Sequence, residues 1–258
     1  RCRLLLGVMA SAFLFSMFIS NTAATAMLMA VLAPLSATMS EINPFKKGLI
    51  LAVPLAANIG GIATVIGSPP NAIAVGSLAE IAPVPFFQWM MIGGPPALGL
   101  GLLLYIYLRI AYPSTQKRLS SLEEAATPHA PTPTQQAQRY CVMAVFAATV
   151  ILWMSGPLHG IPSPVISFLP ITLLTVLGIL REEDIRRLPW DVLLLLTGGL
   201  SLGVAVTQTG LAEWLVTQIP TDGVDAFAVV VALAYFCSIL SNLMSNTAAA
   251  NILIPIAL

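Results

Sequence analysis

The tripeptide Ser-Asn-Thr stands twice in this chain, as Ser20-Asn21-Thr22 and Ser245-Asn246-Thr247, each with a further serine four residues upstream (Ser16, Ser241) and Ala-Ala immediately after. Hydroxyl and carboxamide oxygens suit a hard cation, and the same side chains can donate hydrogen bonds to the oxygens of an anion. Residues 16–33 laid on 241–258 give seven identities in 18 positions, and these include every hydroxyl and amide of the motif. The repeat preserves a site rather than a core.

A third stretch, Asn58-Ile59-Gly60-Gly61-Ile62-Ala63-Thr64-Val65-Ile66-Gly67-Ser68-Pro69-Pro70-Asn71, interrupts an apolar run. Two successive prolines remove two backbone donors, and the glycines permit irregular turns, so the spacing predicts two half-helices joined by an unwound piece. Unwinding frees carbonyl oxygens that need partners in a dry interior, and a sodium ion is one such partner. The simpler alternative is a Pro-Pro kink in a packed membrane helix; the Ser-Asn-Thr repeats favour the ion. On this reading Ser16, Ser20, Asn21 and the Gly67 carbonyl hold sodium. Asn21, Thr22, Asn246 and Thr247 donate to a carboxylated substrate, helped by half-helix N-termini. A dianion then binds poorly until sodium is in place.

The rest of the charge inventory narrows the chemistry. The acidic residues Glu41, Glu80, Glu123, Glu124, Glu182, Glu183, Asp184, Asp191, Glu213, Asp222 and Asp225 all fall near segment ends or in loops, which leaves no intramembrane carboxylate for a proton relay. No intramembrane Lys or Arg awaits an anion. His129 and His159 read as solvated loop residues rather than ligands. The HExxH, GxSxG and Walker signatures are missing, which argues against a membrane hydrolase or nucleotide-driven pump. Cys2, Cys141 and Cys237 are isolated in apolar stretches and read as packing residues. No catalytic residue and no organic cofactor is expected, and with zero net charge and no basic run nothing points to nucleic acid.

The elements that must position these groups are membrane helices. Hydrophobic residues make up 57% of the chain and charged ones 9%, against about 25% charged in a soluble domain. Apolar segments run Leu4–Ser40 (interrupted at Ser20–Thr22), Gly48–Ala82, Phe86–Tyr112, Tyr140–Met154, Val165–Leu180, Val192–Val206 and Ala226–Met244. The third can cross outright, while several others are short and must tilt or be supported by neighbours. Pro113 to Gln138, with Pro113, Pro128, Pro131 and Pro133, reads as a solvated linker. The expected organisation is therefore 1–112, a first-repeat part; 113–138, a polar cytoplasmic linker; and 139–258, a second-repeat part.

Following the crossings puts all 11 Lys and Arg on one side, the cytoplasmic one: Arg1, Arg3, Lys46, Lys47, Arg109, Lys117, Arg118, Arg139, Arg181, Arg186 and Arg187. The first motif then turns back toward the face it entered from, while the second is approached from outside. Two similar segments entering from opposite faces make an inverted repeat with its site at the midplane. A signal peptide ending at Ala24-Thr25-Ala26 is the competing reading of the N-terminus, disfavoured because the motif recurs at residue 245, where no leader can be. A start at Arg1 and an end at Leu258, 11 residues past Thr247, suggest a piece of a longer transporter.

At these residues the chain resembles the divalent anion/sodium symporter (DASS) family, the sodium-coupled di- and tricarboxylate and sulfate transporters. Members carry Ser-Asn-Thr at two re-entrant hairpin tips and a Gly-Thr-Pro-Pro-Asn type loop, here Gly67-Ser68-Pro69-Pro70-Asn71. The resemblance implies an all-α polytopic, inverted-repeat, elevator-type symporter with two re-entrant helical hairpins and a broken helix, usually a homodimer, in a bacterial inner membrane. It implies a first sodium site at Ser16, Ser20, Asn21 and Gly67, a second at Ser241, Ser245 and Asn246, and a substrate site at Asn21, Thr22, Ser68, Pro69, Asn246 and Thr247. The implied cargo is a small dianion, foremost a C4-dicarboxylate such as succinate or malate. Sulfate, citrate, an exchanger or a proton-coupled relative remain alternatives, with a membrane scaffold or embedded enzyme as the non-transport ones.

Overall fold

A computed structural model of the chain describes residues 2–37, 39–40, 42–79, 81–113, 132–211, 214 and 225–257. Several sequence expectations fall outside them: Arg1, Glu41, Glu80, Lys117, Arg118, Glu123, Glu124, Pro128, His129, Pro131, Glu213, Asp222, Leu258 and most of the linker, together with the side chain of Cys2. Among the described residues every regular element is a helix: α1 (Cys2–Ser16), α2 (Asn21–Ala37), α3 (Pro44–Gly60), α4 (Pro69–Leu78), α5 (Phe86–Ala111), α6 (Pro133–Met154), α7 (Gly156–His159), α8 (Ser163–Val176), α9 (Glu182–Arg186), α10 (Trp190–Gln208), α11 (Ala226–Leu243) and α12 (Asn246–Ala257).

Packing divides them into two compact units. One comprises Arg1–Ser68 with Pro85–Arg181, the other Pro69–Val84 with Glu182–Leu258. These units interleave along the sequence, so they describe a different property from a division into repeats and linker.

In the first unit α3 carries an apolar stripe, Phe45, Leu49, Ala52, Val53, Ala56 and Ala57, buried at helical spacing against Leu5, Met9 and Ala12 of α1 and Leu32 and Leu35 of α2. Small residues toward the end of the stripe let the backbones approach closely. A Cβ on Gly60 would stand 2.3 Å from the Phe13 carbonyl oxygen, so that crossing requires glycine. Asn43 starts α3 by accepting the Phe45 N–H at 3.0 Å.

The break expected in the Gly48–Ala82 run is present. Helix α3 ends at Gly60, residues 61–68 are irregular, and α4 restarts at Pro69 and Pro70, where a missing donor costs nothing. The first motif likewise lies between helices of 15 and 17 residues, about 22 and 26 Å long and shorter than a bilayer core of ~30 Å.

Among the described residues two helices are long and apolar enough to span a membrane, Phe86–Ala111 and Pro133–Met154. The second corrects the sequence reading. It begins at Pro133, inside the stretch expected to be linker, because Thr132 and Gln135 form a capping box: the Thr132 hydroxyl accepts the Gln135 N–H at 3.3 Å, and the Gln135 side chain accepts the Thr132 N–H at 3.1 Å.

His159 is also corrected. It is a structural tie rather than a solvated side chain: its Nδ1 accepts the Ile161 N–H at 2.9 Å, leaving Nε2 to donate to the Leu152 carbonyl at 2.9 Å. Beside it Phe86 stacks on Trp153, with ring centroids 4.9 Å apart.

In the second unit α12 packs on α10, α4 and α11, burying Ala249, Ala250 and Leu253 along with Ile73 of α4. The described acids Glu182, Glu183, Asp184 and Asp191 sit in first helical turns and Asp225 at the start of α11, all at segment ends as expected.

Candidate functional site

In the first unit the residues of the motif and those of the helix break meet. Helix α1 ends at Ser16, whose side chain is 0% exposed and whose hydroxyl donates to Asn21 Oδ1 at 2.6 Å. Asn21, the first residue of α2, in turn donates from Nδ2 to Asn58 Oδ1 at 3.2 Å, in the last turn of α3. Gly61 lies directly beneath this amide: a Cβ there would stand 2.4 Å from Asn21 Oδ1. Gly67 closes the group, since its Cβ would stand 2.7 Å from the Gly61 carbonyl oxygen and 2.9 Å from that of Ser16. Both glycines are needed because side-chain and backbone oxygens occupy the space a methyl group would fill.

Thr64, 0% exposed, ties the break to the first motif. Its hydroxyl donates to the Met17 carbonyl and accepts the Gly67 N–H, the latter at 3.0 Å. A buried hydroxyl without these partners would cost about 1–3 kcal/mol, so this pair of bonds fixes where residues 64–67 run.

The structure thus brings together Ser16, Asn21 and Gly67 of the expected first sodium set. Ser20 is adjacent but differently occupied: it is exposed, and its hydroxyl caps α2 by accepting the Ala23 N–H at 3.3 Å. Thr22 is exposed beside it. Ser68 is half-buried in the irregular stretch, and Pro69 opens α4.

Sequence reasoning did not assign Asn58 or Thr64. The usable signal was the presence of a carboxamide and a hydroxyl inside an apolar run, within the stretch that includes the break.

The group can act on ions of either sign. Ser16 Oγ, Asn21 Oδ1 and the carbonyls of Ser16 and Gly61 offer neutral oxygens to a cation. Rotation of the Ser16 hydroxyl would release the lone pair of Asn21 that it now occupies. Among the described residues no cluster of three or more His, Cys, Asp or Glu could hold a metal, so a cation here meets neutral oxygens only. Those suit sodium better than a transition metal. For an anion, the start of α2 at Asn21 presents the positive end of the helix dipole, although Ser20 already takes the Ala23 N–H. An apolar cavity of about 350 Å³ lies elsewhere in this unit, lined by Leu6, Met9, Phe13, Leu98, Leu102 and Tyr105, and offers an anion almost no donors.

The second unit repeats the cap but not the amide chain. Ser245 accepts the Ala248 N–H at 3.1 Å, the counterpart of Ser20 with Ala23, and Asn246 opens α12 as Asn21 opens α2. Ser241 departs from Ser16, because its hydroxyl donates back to the Ser238 carbonyl of its own helix at 2.9 Å. Asn246 is exposed and Thr247 half-buried.

A residue outside the motif stands out instead. Asn251 is 5% exposed and donates from Nδ2 to the Leu195 carbonyl at 2.9 Å, while its Oδ1 has no hydrogen-bond partner among the described residues. It fits only because position 199 is glycine, where a Cβ would stand 1.9 Å from that oxygen.

Known transporters resemble this chain along nearly its whole length. The chain is 31% identical over 259 residues to the low-affinity phosphate transporter PHO90 of Saccharomyces cerevisiae, covering 98% of this chain and 28% of that protein. It is 29% identical over 286 residues to the sodium-dependent dicarboxylate transporter SdcS of Staphylococcus saprophyticus, covering 98% and 55%. The SdcS protein of Staphylococcus aureus is 28% identical over 293 residues, with the same coverage. The chain therefore spans between about a quarter and about half the length of these relatives. The profile of the CitMHS family, described as "Citrate transporter", matches residues 1–258. With that profile matched from end to end, the chain belongs to the CitMHS family of membrane-embedded anion transporters.

Proposed function

We propose that this protein is a sodium-coupled symporter of a small dianion, foremost a C4-dicarboxylate such as succinate or malate. The observation that carries the reading is the Ser16–Asn21–Asn58 amide chain seated on Gly61 and Gly67 at a helix break. It is an oxygen-rich, carboxylate-free group at the positive end of α2. Sodium is held by Ser16, Ser20, Asn21 and Gly67, with a second ion at Ser241, Ser245 and Asn246. Asn21, Thr22, Ser68, Pro69, Asn246 and Thr247 face the substrate. Coupling is electrostatic, since a dianion in a low-dielectric site gains several kcal/mol from an adjacent full positive charge. The relatives named as sodium-dependent dicarboxylate transporters support this choice of ion and substrate.

The same reading makes 1–112 and 139–258 two inverted repeats joined by a cytoplasmic linker that gives way to α6 at Pro133. The two motif-bearing helix pairs are re-entrant hairpins that move as part of an elevator domain. The protein works as a homodimer in a bacterial inner membrane with its Lys and Arg loops cytoplasmic.

The test is uptake of labelled succinate into proteoliposomes carrying the full-length protein, under an inward sodium gradient and an equal choline gradient. Sodium-dependent accumulation competed away by malate is expected. Asn21→Ala should abolish it and Cys141→Ala should leave it near normal; equal effects of the two substitutions would sink the site assignment. Phosphate is the second reading, favoured by the 31% identity to a phosphate transporter. Competition by phosphate, sulfate or citrate rather than malate would reassign the substrate. Equal uptake in choline would point to an exchanger or a proton-coupled carrier.

A further inference from the structure

The amide chain has a free end. Asn58 uses its Oδ1 to accept from Asn21 Nδ2 at 3.2 Å, and among the described residues its own Nδ2 donates to nothing. The residue is exposed although it lies in the last turn of α3, an apolar helix packed within a membrane protein. A carboxamide N–H₂ left against hydrocarbon would cost several kcal/mol, so an exposed Asn at this position faces a polar compartment. Its bonded partner Asn21 is half-buried and belongs to the face assigned to the anion above.

The geometry fixes which end of Asn58 turns to that face. Ser16 donates to Asn21 Oδ1, which leaves Asn21 only its Nδ2 to offer onward, and Asn58 must answer with oxygen. The remaining group of Asn58 is therefore a donor with two N–H bonds. A chain that starts at the cation ligand Ser16 ends in a donor suited to an anion.

We infer that Asn58 is a specificity-determining residue of the anion site: its Oδ1 holds the Asn21 amide in the orientation sodium requires, and its Nδ2 donates to a carboxylate oxygen of the substrate. This rests on the functional reading above, and it adds a residue that neither repeat motif contains. Because both ends belong to one rigid carboxamide, the substrate contact and the orientation of the sodium ligand are set together.

The test separates the two ends. Asn58→Asp keeps an oxygen to accept from Asn21 Nδ2 but presents an anionic oxygen where the donor was. Asn58→Ala removes both. The exposed position makes either variant compatible with folding, checked by unfolding temperatures within a few degrees of wild type. In proteoliposomes with the full-length protein, Asn58→Asp is expected to raise the succinate KM at least tenfold while the sodium concentration for half-maximal uptake does not rise, since the added negative charge favours the cation. Asn58→Ala should raise both. A succinate KM for Asn58→Asp within twofold of a sodium-coupled wild type would overturn this assignment alone. Wild-type uptake indifferent to sodium would overturn the functional reading, and the assignment with it.

Discussion

Replacing Gly61 by alanine tests the site through a single methyl group. The backbone at Gly61 is right-handed helical, with φ −60° and ψ −18°, so alanine fits there without strain. Stiffening the unfolded chain should even add about 0.4–1 kcal/mol of stability. The three atoms nearest the new methyl all belong to the Asn21 side chain, at 2.4 Å for Oδ1 and 3.1 Å for Cγ and Nδ2. Asn21 must swing away, breaking its bonds to Ser16 and to Asn58 at about 1 kcal/mol each and stranding the buried Ser16 hydroxyl for at least ~1 kcal/mol more. The total of about 3 kcal/mol corresponds to roughly a hundredfold at 1.4 kcal/mol per decade. That factor should appear as a rise in the sodium concentration needed for half-maximal uptake, measured in proteoliposomes. Because the broken bonds are already present without sodium, the unfolding temperature, followed by tryptophan emission in detergent, should fall as well, partly offset by the stiffer unfolded chain. Gly7→Ala, with nothing within 4 Å of its methyl, is the control and should change only stability. A Gly61→Ala protein whose sodium response stays within threefold of wild type would refute the role given to Asn21.

Two further substitutions probe the supports. Thr64→Val preserves shape but removes the bonds to the Met17 carbonyl and the Gly67 N–H, so it should cost about 2–3 kcal/mol of stability, with Thr64→Ser recovering most of it; a neutral Thr64→Val would show that the break is held by other contacts. In the second unit Gly199→Ala should be strongly destabilising, because its methyl would stand 1.9 Å from Asn251 Oδ1, and the cost should largely vanish in an Asn251→Ala background. Additive effects in that double-mutant cycle would mean the two positions do not meet.

How much of this was legible in the sequence depends on how local each feature is. The break at 61–68 and the caps at Ser20 and Ser245 follow from residues within a few positions of one another, and proline, glycine and serine declare them directly. The start of α6 was misplaced by seven residues, from Tyr140 to Pro133, because polar residues 132–138 look like linker by composition, whereas a Thr-Pro-x-Gln capping box needs no hydrophobicity to begin a helix. Asn58 and Thr64 were passed over for another reason. Their partners lie 37 and 47 residues away, and no local spacing can reveal which carbonyl or amide they will meet.

The paired motifs carry the sharpest instance of that limit. In letters the two copies agree at the upstream serine and throughout Ser-Asn-Thr-Ala-Ala, yet Ser16 reaches across its turn to Asn21 while Ser241 turns back on its own helix. The difference lies in what surrounds each copy. Asn21 is held from the far side by Asn58 and from below by Gly61, so its oxygen faces Ser16, whereas Asn246 is exposed and no such scaffold orients it among the described residues. A Ser hydroxyl with no fixed acceptor across the turn takes the nearest backbone carbonyl of its helix, as serines in apolar helices commonly do. The same motif therefore gives a hydrogen-bonded Ser–Asn pair in one unit and none in the other among the described residues. What converts the motif into a site is the carboxamide and glycine supplied by a neighbouring broken helix.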